Sequence, residues 1–233
     1  MYNLERQEEI IRILERHKSM SVTKLANTLF VSQPTVRRDL NILENQGKVQ
    51  RTHGGVVLRK ASDAEVPLLF REDKNHAAKK AIAAKASALI SDGCVIFLDA
   101  SSTAAHLIPF LDKFHDIIVV TNSPKTSILL GENHIKNYCT GGLLLEHSVA
   151  YVGNEAEKFI SHINADLFFF SSRGYTEDGI ITDSSEREVV MKKAMLRNAE
   201  KSYYLCDKSK QNKKFVFTVC GVNEVTAIIQ EDF

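Results

Sequence analysis

The chain has 233 residues, which is enough for one large domain or two unequal ones. Hydrophobic residues make up 44% and charged residues 25%, the proportions of folded globular chains, which excludes a disordered or collagen-like chain. No apolar run approaches the ~18–20 residues of a membrane span, the opening MYNLERQEEI is not a signal peptide, and Cys94, Cys139, Cys206 and Cys220 form no Cys-x-x-Cys pair. We therefore expect a cytoplasmic protein with no membrane partner, no disulfide framework and no cysteine metal site.

The net charge of +1 hides an asymmetry between the two ends of the chain. Residues 1–60 carry eleven Lys and Arg against six Asp and Glu, a net of +5, so the remaining residues have a net of −4. A small basic segment on a mildly acidic body predicts that a polyanion binds one end only. Chance variation in composition stays open at this point, so the pattern along the chain has to decide.

The first sixty residues begin with the periodicity of amphipathic helices. The segment from Leu4 to about His17 carries its apolar residues on one face. Ser21 can cap a second helix, whose apolar residues fall at i, i+3, i+4 and i+7: Val22, Leu25, Ala26 and Leu29. After a short turn at Phe30-Val31, Ser32 can cap a third helix, which is predicted to stop at Gly47.

The third helix separates an apolar face from a polar and basic one. The apolar stripe is Val36, Leu40 and Leu43, and the opposite face carries Gln33, Thr35, Arg37, Arg38 and Asn41. Two predicted strands, Lys48–Thr52 and Val56–Leu58, then flank His53-Gly54-Gly55 as a wing. A helix that begins with polar and basic side chains fits a major groove, and a basic hairpin tip can approach phosphates. The predicted DNA-binding residues are Ser32, Gln33, Thr35, Arg37, Arg38, Arg51 and His53.

A three-helix bundle with a solvated basic face would explain the apolar stripes, but not the basic first turn of the third helix or the glycine-tipped hairpin. The stretch resembles the N-terminal winged helix-turn-helix of DeoR-type transcriptional regulators. The resemblance is carried by Glu5-Arg6, Ser32-Gln33-Pro34-Thr35-Val36-Arg37-Arg38-Asp39-Leu40, Leu43-Glu44 and Arg51-Thr52-His53-Gly54-Gly55. It implies that this part of the chain binds operator DNA.

Residues 61–75 predict a linker between a DNA-binding domain of residues 1–60 and an effector domain of residues 76–233. Beyond the linker, apolar runs alternate with helical stretches, which predicts a mostly parallel, three-layer α/β domain. The predicted strands are Cys94–Leu98, Ile117–Val120, Ile135–Cys139, Leu167–Phe170, Tyr203–Cys206, Phe215–Val219 and Ala227–Ile229. Helices are expected over Asn75–Ile90, from Thr103 through Leu111, after Pro124, over Val152–Ile163 and over Ser185–Ala199.

Four loops at the ends of predicted strands share a polar chemistry that suits an anion. Asp99–Thr103 offers hydroxyls and backbone N–H groups at a helix start, and Thr140–Gly142 lets the backbone approach a ligand. Ser171–Gly174 adds a guanidinium, and Asp207–Lys210 adds ammonium groups. Each loop alone is also typical of a helix cap or a turn. Ligands of parallel sheets bind beyond the carboxyl ends of the strands, where these loops are expected to meet.

The order of these loops resembles the C-terminal effector domain of DeoR-type regulators, which is similar in fold to ribose-5-phosphate isomerase. The matching segments are Asp99–Thr103, Thr140–Gly142 with Val152-Gly153, Arg173-Gly174 with Asp178-Gly179, Val190–Ala199 and Asp207–Lys210. The chain departs from the family where Gln211-Asn212 follows Lys210 in place of the common Phe-Gly.

The resemblance implies a regulator, usually a repressor, of a sugar-metabolism operon, controlled by a phosphorylated sugar. The predicted effector-binding residues are Asp99, Ser101, Ser102, Thr103, Asn122, Gly141, Gly142, Arg173, Gly174, Asp207 and Lys210.

A phosphosugar isomerase-like enzyme fused to a DNA-binding head is the alternative from another class. Isomerisation by proton transfer needs a carboxylate base and a polarising donor. The isomerase-like fold places an acidic pair in the segment that here reads Ser171–Gly174, which has no carboxylate, although Glu186 and Glu188 follow nearby. We therefore predict no catalytic residue and no cofactor. A regulator controlled only by a protein partner would leave the four polar loops unexplained.

The eight histidines are scattered and form no His-x₃-His pair, so no metal site is predicted. One winged helix makes limited contact with DNA, and we therefore expect a homodimer or homotetramer on a palindromic operator. The family resemblance implies that the C-terminal domain builds the oligomer.

Overall fold

A computed structural model of the chain describes residues 3–17, 19–45, 48–52, 55–58 and 68–231. The chain divides into two compact units, residues 1–70 and residues 71–233, called the head and the body below. The predicted helix stop at Gly47, the wing residues His53 and Gly54, and the first part of the predicted linker, residues 61–67, lie outside the described residues.

The head is a winged helix-turn-helix, as the sequence predicts. Its elements are α1 (Asn3–His17), β1 (Ser19–Ser21), α2 (Val22–Thr28), α3 (Gln33–Asn45), β2 (Val49–Thr52) and β3 (Gly55–Leu58). The apolar stripes of the helices meet in one core that includes Ile10, Leu14, Leu25, Val36, Leu40 and Leu43. Side-chain caps begin both helices of the motif, because the Ser21 hydroxyl accepts the Lys24 N–H at 3.2 Å and the Ser32 hydroxyl accepts the Thr35 N–H at 3.3 Å.

The short strand β1 is a feature that the sequence pattern did not predict. It pairs antiparallel with β3, which also pairs with β2, so the wing is a three-stranded sheet in the order β1-β3-β2. A side chain at Gly55 would lie 2.6 Å from the Met20 carbonyl oxygen. The first residue of β3 therefore has to be glycine for the two strands to approach each other this closely.

The body alternates helices and strands along most of its length. Its helices are α4 (Leu68–Asp73), which begins just before the division between the units, α5 (His76–Ser87), α6 (Ser102–Ala105), α7 (Pro124–Glu132), α8 (Asn154–Ser161) and α9 (Glu186–Arg197). Its strands are β4 (Val95–Leu98), β5 (Ile118–Thr121), β6 (Asn137–Cys139), β7 (Leu143–Leu145), β8 (Ala150–Val152), β9 (Ala165–Phe170), β10 (Gly174–Tyr175), β11 (Ile180–Asp183), β12 (Ala199–Leu205), β13 (Phe217–Gly221) and β14 (Ala227–Ile229).

Six of these strands form the parallel sheet that the apolar runs predict. The strand order is β14-β12-β9-β4-β5-β6, and all the neighbours are parallel. Alternate residues of the central strands enter two different cores, because Phe169 lies in one cluster whereas Phe168 and Phe170 lie in the other. The sheet is therefore covered on both faces, and the prediction of a mostly parallel α/β body is confirmed.

Two predicted helices in the body are wrong in their extent, and one predicted strand lies outside the parallel sheet. The helix expected through Leu111 is α-helical only over Ser102–Ala105 and continues as the 3₁₀ turn Ile108–Phe110, because Pro109 has no N–H to donate. Val152 ends a strand instead of beginning a helix, since β7 and β8 form an antiparallel hairpin before α8. The predicted strand Phe215–Val219 corresponds to β13, which pairs antiparallel with β11 outside the parallel sheet.

The predicted domain boundaries stay a prediction. Part of the predicted linker is ordered into the short helix α4, which ends two residues before the left-handed residue Asn75 and the start of α5. Within the described ranges, no helix combines the length and the apolar composition that crossing a membrane requires.

Candidate functional site

The carboxyl ends of five parallel strands bring the predicted effector-binding loops to one edge of the sheet. The loops follow β4, β5, β6, β9 and β12. From β4 the chain continues to one side, through β5 and β6, and later returns to the other side through β9 and β12. The boundary between β4 and β9 is therefore the topological switch point, where open α/β sheets bind ligands.

The first loop, after β4, is held in shape by its own acidic residue. Asp99 is buried, and its Oδ1 accepts hydrogen bonds from the Ser101 backbone N–H at 3.1 Å and from the Ser101 hydroxyl at 2.5 Å. Its Oδ2 accepts the Ser171 backbone N–H at 3.2 Å, which joins the loops after β4 and β9. The Ser101 hydroxyl in turn caps α6 by accepting the Ala104 N–H at 3.2 Å. Asp99 and Ser101 thus shape the loop, and Ser102 and Thr103 offer their hydroxyls beside it.

Lys210 reaches this loop from the carboxyl end of β12. Its Nζ donates to Thr103 Oγ1 at 3.1 Å and to Ser171 Oγ at 2.5 Å, and it lies 3.6 Å from Asp207 Oδ2. Only 16% of the lysine side chain is exposed, and burial lowers the pKa of Lys210. A single ammonium therefore connects three of the four predicted loops, while Asp207 keeps the ammonium in place.

Two further cations at this site were missed by the sequence reasoning. Lys79 of α5 is 4% exposed and donates from Nζ to the carbonyl oxygens of Arg71 and, at 3.4 Å, Glu72. Burial, followed by the charge of the neighbouring Lys210, lowers the pKa of Lys79 to about 8. Arg71 also acts electrostatically on both lysines. We call Arg71, Lys79 and Lys210 the cation cluster.

The sequence did contain a signal for Lys79. Lys79 lies three, four and seven residues before Ile82, Ala83 and Ala86, which are buried, so it falls on the same apolar face of α5. A lysine on the apolar face of a helix is either a packing defect or a group with a buried partner. Arg71 carried no comparable signal, because it lies in a segment whose helical structure was not predicted.

A buried ion cluster lies beside the cation cluster. Lys192 Nζ lies 3.3 Å from Asp183 Oδ2, 3.5 Å from Glu188 Oε2 and 3.6 Å from Asp99 Oδ2. Burial raises the pKa of Asp183. Burial also acts to raise the pKa of Glu188, but the charges of Lys192 and Arg71, together with smaller contributions from its other neighbours, lower it overall. Although burial opposes it, the three carboxylates raise the pKa of Lys192. Glu188, in the first turn of α9, is therefore part of the interior, whereas Glu186 is exposed.

The remaining predicted effector-binding residues serve the fold and the site in different ways. Asn122 donates from Nδ2 to the Tyr151 carbonyl at 3.0 Å, and its buried Oδ1 has no hydrogen-bond partner within the described part of the chain. Arg173 is half-buried and acts on Asp183. Gly142 has a φ of +110°, and a side chain there would lie 2.8 Å from the Val152 carbonyl. The close approach that requires this glycine is therefore to β8.

Gly141 and Gly174 differ in the space around them. Gly141 has a φ of +66° and open space where a side chain would be, so only its backbone conformation favours glycine. At Gly174 a side chain would collide with the Lys213 carbonyl, so glycine is required for that contact. Where the chain departs from the family pattern after Lys210, Asn212 has a φ of +55°, a conformation that glycine adopts freely and asparagine tolerates.

In the head, α3 presents the side chains that were predicted to contact DNA. Gln33, Arg37 and Arg38 are exposed, Thr35 is half-buried, and Ser32 is committed to the helix cap. Arg51 of β2 is held against α3, because its Nη1 donates to Asn41 Oδ1 at 2.5 Å. His53 lies outside the described residues.

Asp39, the acidic residue of the same motif, stabilises the fold of the head. Asp39 is fully buried, and its Oδ2 accepts from Arg6 Nε at 2.5 Å. The Arg6 side chain is 12% exposed, so the pair ties α1 to α3 from within the head. This contact explains why both residues belong to the recognised pattern, while Arg37 and Arg38 are left to face solvent.

Within the described residues, no three His, Cys, Asp or Glu side chains group together as metal ligands.

Comparison with known families identifies both parts of the chain. Residues 6–62 match the DeoR-like helix-turn-helix domain, and residues 74–232 match the DeoR C terminal sensor domain. The second match alone covers more than half of the chain.

Individual proteins match over nearly the full length. The chain is 32% identical over 228 residues to YulB, an uncharacterized HTH-type transcriptional regulator of Bacillus subtilis (strain 168), covering 97% of this chain and 88% of that protein. It is 36% identical over 230 residues to the L-fucose operon activator of Escherichia coli (strain K12), covering 97% and 94%. Among solved structures, ribose 5-phosphate isomerase A of Methanocaldococcus jannaschii matches with a TM-score of 0.45 and 19% identity, over 59% of this chain and 55% of the isomerase. The chain belongs to the DeoR family of DNA-binding transcriptional regulators, with a helix-turn-helix head and a C-terminal sensor domain.

Proposed function

We propose that this regulator is a repressor of a sugar-metabolism operon and that a phosphorylated sugar, bound at the carboxyl edge of the parallel sheet, controls it. The observation that carries the proposal is the cation cluster of Arg71, Lys79 and Lys210 beside the hydroxyls of Ser102 and Thr103. The helix start itself contributes little, because α6 has only four residues.

Burying several cations close together without a bound anion destabilises their charged forms. Burial and mutual repulsion lower the pKa of Lys79 and of Lys210, which means that the charged forms are destabilised in the empty site. A phosphate dianion would relieve both effects and accept hydrogen bonds from the ammonium, guanidinium and hydroxyl groups together. A neutral sugar would add no negative charge to the site. The site is therefore suited to a phosphate ester.

The remainder of the ligand would extend over the loops after β5, β6 and β9. Asn122, Gly141 and Arg173 would contact its hydroxyl groups, and the unpaired Asn122 Oδ1 offers an acceptor for one of them. The name of the L-fucose operon activator supports a sugar-derived effector. The same name describes activation, so the repressor assignment is tested directly by a reporter gene under the protein's own operator with and without the regulator.

The head would bind operator DNA through α3 and the wing. Arg37 and Arg38 are exposed on the predicted reading face, and Gln33 and Thr35 lie in the first turn of the same helix. Ser32, Arg51 and His53 would contact the backbone of the DNA. A homodimer or homotetramer would place two heads on the two halves of a palindromic site.

We propose a sensor and not an enzyme, for two reasons. The Ser171–Gly174 loop has no carboxylate, and the nearby carboxylates Asp183 and Glu188 are paired with Lys192 in the buried ion cluster. A general base must reach the proton that it removes, and a carboxylate that is held by a lysine is poorly placed to do so. Incubation with the bound sugar phosphate, followed by NMR, should give no turnover; turnover that is lost in Glu188→Gln would establish the isomerase alternative.

The ligand is found by a thermal-shift screen of phosphorylated sugars, because a ligand at about 100 times its dissociation constant stabilises the folded state by roughly 2.7 kcal/mol. Calorimetry then compares the phosphorylated sugar with its dephosphorylated form. We expect Ser102→Ala and Lys210→Ala to weaken binding of the phosphorylated form about ten- to hundredfold, since a hydrogen bond to a charged group contributes roughly 1.5–3 kcal/mol.

Lys208→Ala is the matched control, because Lys208 is an exposed lysine in the same 3₁₀ turn. We expect it to leave the affinity unchanged. Equal affinities of the wild-type protein for the two forms of the sugar would end the proposal of a phosphate site.

A further inference from the structure

The second half of α4 is fastened to the body by three side chains from three different elements. The carbonyl oxygen of Arg71 accepts hydrogen bonds from Lys79 Nζ and, at 3.4 Å, from Ser102 Oγ. The carbonyl oxygen of Glu72 accepts from Lys79 Nζ at 3.4 Å. The Glu72 carboxylate pairs with Lys125 Nζ at 2.5 and 2.6 Å.

Two of these three side chains are donors of the proposed phosphate site. Ser102 has one hydroxyl hydrogen, which it cannot donate to the Arg71 carbonyl and to a phosphate oxygen at the same time. The Lys79 ammonium has three hydrogens and directs its bonds at the two α4 carbonyls. The backbone of α4 therefore occupies donors that an incoming phosphate would take.

The Arg71 side chain has a buried N–H group that a phosphate oxygen could satisfy. Its Nε is buried and has no hydrogen-bond acceptor in the part of the chain that the structure describes. Its charge acts on Lys79 and Lys210 of the cation cluster and on Glu188 of the buried ion cluster. A buried N–H without an acceptor is costly, and a phosphate oxygen would provide that acceptor.

We propose that Arg71 is an effector-binding residue and that, when the effector binds, α4 exchanges its backbone hydrogen bonds to Ser102 and Lys79 for a contact between Arg71 and the effector. The inference rests on the phosphate site proposed above. Phosphate takes the hydrogen bonds that Ser102 and Lys79 donate to the α4 carbonyls, and it accepts new hydrogen bonds from the Arg71 guanidinium. The backbone of α4 then loses its contacts with the body, and the Arg71 side chain holds the helix through the phosphate. Because residues 59–67 join α4 directly to the wing in sequence, this exchange would pass the occupancy of the site to the head.

The test uses full-length protein, inorganic phosphate as the probe, and two measurements. Calorimetry gives the phosphate affinity, and hydrogen exchange with mass spectrometry follows the amides of residues 68–75 with and without phosphate. The variants are Arg71→Ala, Arg71→Lys and the matched control Lys74→Ala, which removes an exposed cation three residues away. Circular dichroism checks that each variant is folded. If Arg71→Ala does not fold, Arg71→Lys, which keeps the positive charge, takes its place in the test.

In the wild-type protein we expect phosphate to slow exchange in α4, because bonds between a charged guanidinium and a charged phosphate replace bonds to neutral carbonyl oxygens. Arg71→Ala should bind phosphate about ten- to hundredfold more weakly and, once saturated, should exchange faster in α4 than without phosphate, because the carbonyls are released with nothing in their place. Arg71→Lys should lose affinity only severalfold, since lysine keeps the charge but not the two-pronged contact. Lys74→Ala should match the wild type.

Two results would overturn the inference, and they differ in what else they imply. If wild-type protein binds phosphate but Arg71→Ala binds it equally tightly and responds equally in α4, the role of Arg71 is wrong and the phosphate site stands. If wild-type protein binds no phosphate and Lys210→Ala behaves identically, the proposed function and this inference fail together.

Discussion

The head and the body both use cations, but they keep them in opposite environments. Arg37 and Arg38 of the head are exposed, whereas Lys79 and Lys192 of the body are each 4% exposed. Lys79 contacts carbonyl oxygens of α4, and Lys192 contacts three carboxylates. An exposed cation retains its water and its counterions until a phosphate replaces them, so its contribution depends on salt. A buried cation has lost its water during folding and is screened much less. The same chemistry therefore suits a long polyanion at one end and a small anion at the other.

This comparison predicts two different salt responses in one protein. Operator affinity should fall steeply with salt, with a slope of about −0.9 for each phosphate neutralised. Affinity for a sugar phosphate should change much less over the same range, because its partners are buried. The predictions below sharpen this contrast, beginning with the largest effect.

The largest effect is expected from replacing both exposed arginines of α3. A base contact is worth roughly 1–3 kcal/mol, so Arg37→Ala with Arg38→Ala should weaken operator binding by about two to four orders of magnitude. The salt slope should become shallower by about two if both residues contact phosphates. Fluorescence anisotropy with operator DNA at several salt concentrations measures both quantities.

The matched control removes two exposed lysines from the body, Lys136 and Lys158, so that the net charge changes equally. An unchanged affinity and salt slope in the arginine double variant would show that α3 is not the reading helix.

The second prediction concerns the buried ion cluster. Lys192→Met leaves Asp99, Asp183 and Glu188 without their common cation, and breaking a buried pair costs about 3–5 kcal/mol. Urea denaturation should show that loss in the body transition. Lys193→Met is the control, because Lys193 is the exposed neighbour on α9, and it should change the free energy of unfolding by less than about 0.5 kcal/mol. Equal stabilities of the two variants would mean that the cluster does not support the fold.

The third prediction uses the lowered pKa of Lys79. Since burial and Lys210 lower the pKa of Lys79 to about 8, the ammonium is lost between pH 7 and pH 9, and affinity for a phosphate ester should fall about tenfold over that range. The ester is already a dianion at pH 7 and does not oppose this trend. Calorimetry at several pH values should show the fall in wild-type protein and a flatter profile in Lys79→Gln.

Stability without ligand should move in the other direction. The pKa of Lys79 in the folded state lies below its ordinary value of 10.5, so the unfolded chain holds the proton more tightly. The free energy contributed by Lys79 therefore increases as pH rises from about 8 toward 10.5, and urea midpoints of wild type relative to Lys79→Gln should reflect this increase. A relative decrease would contradict the burial argument.

The smallest effect separates two adjacent serines. Ser101 caps α6 and holds Asp99, so Ser101→Ala should lower the free energy of unfolding by about 1 kcal/mol and leave phosphate affinity within about twofold. Ser102→Ala should weaken phosphate binding and leave the free energy of unfolding nearly unchanged. Thermal melts and calorimetry on both variants test the distinction, and a loss of affinity in Ser101→Ala that equals the loss in Ser102→Ala would contradict it.

The sequence predicts the head and the parallel sheet well because both rest on strong periodic patterns. Leu25 and Leu40 fall on helical stripes that are buried as expected, and the apolar runs of β4 and β9 are too long and too uniform for surface strands. β1 was missed because three residues, Ser19–Ser21, contain no period that distinguishes a strand from a turn.

The site is predictable in its position and only partly in its members. The loops after β4 and β12 meet as expected because parallel strands end at the same edge. Which hydroxyl faces the site and which caps a helix depends on hydrogen bonds over two or three residues, as Ser101 and Ser102 show. Lys79 and Arg71 join the site through tertiary contacts. The apolar face of α5 indicates that Lys79 has a buried partner but does not identify that partner, and no pattern around Arg71 indicates its contacts.

The central claim is that a phosphorylated sugar bound in the body changes the affinity of the head for DNA. The most direct measurement is the operator affinity of wild-type protein and of Lys210→Ala, with and without a saturating sugar phosphate from the screen. Coupling between sites is typically worth 1–3 kcal/mol, so we predict that the ligand weakens operator binding of the wild-type regulator by about five- to 150-fold. The same ligand concentration should leave the affinity of Lys210→Ala unchanged. An operator affinity that is the same with and without ligand, in wild-type protein that calorimetry shows to be saturated, would contradict the account.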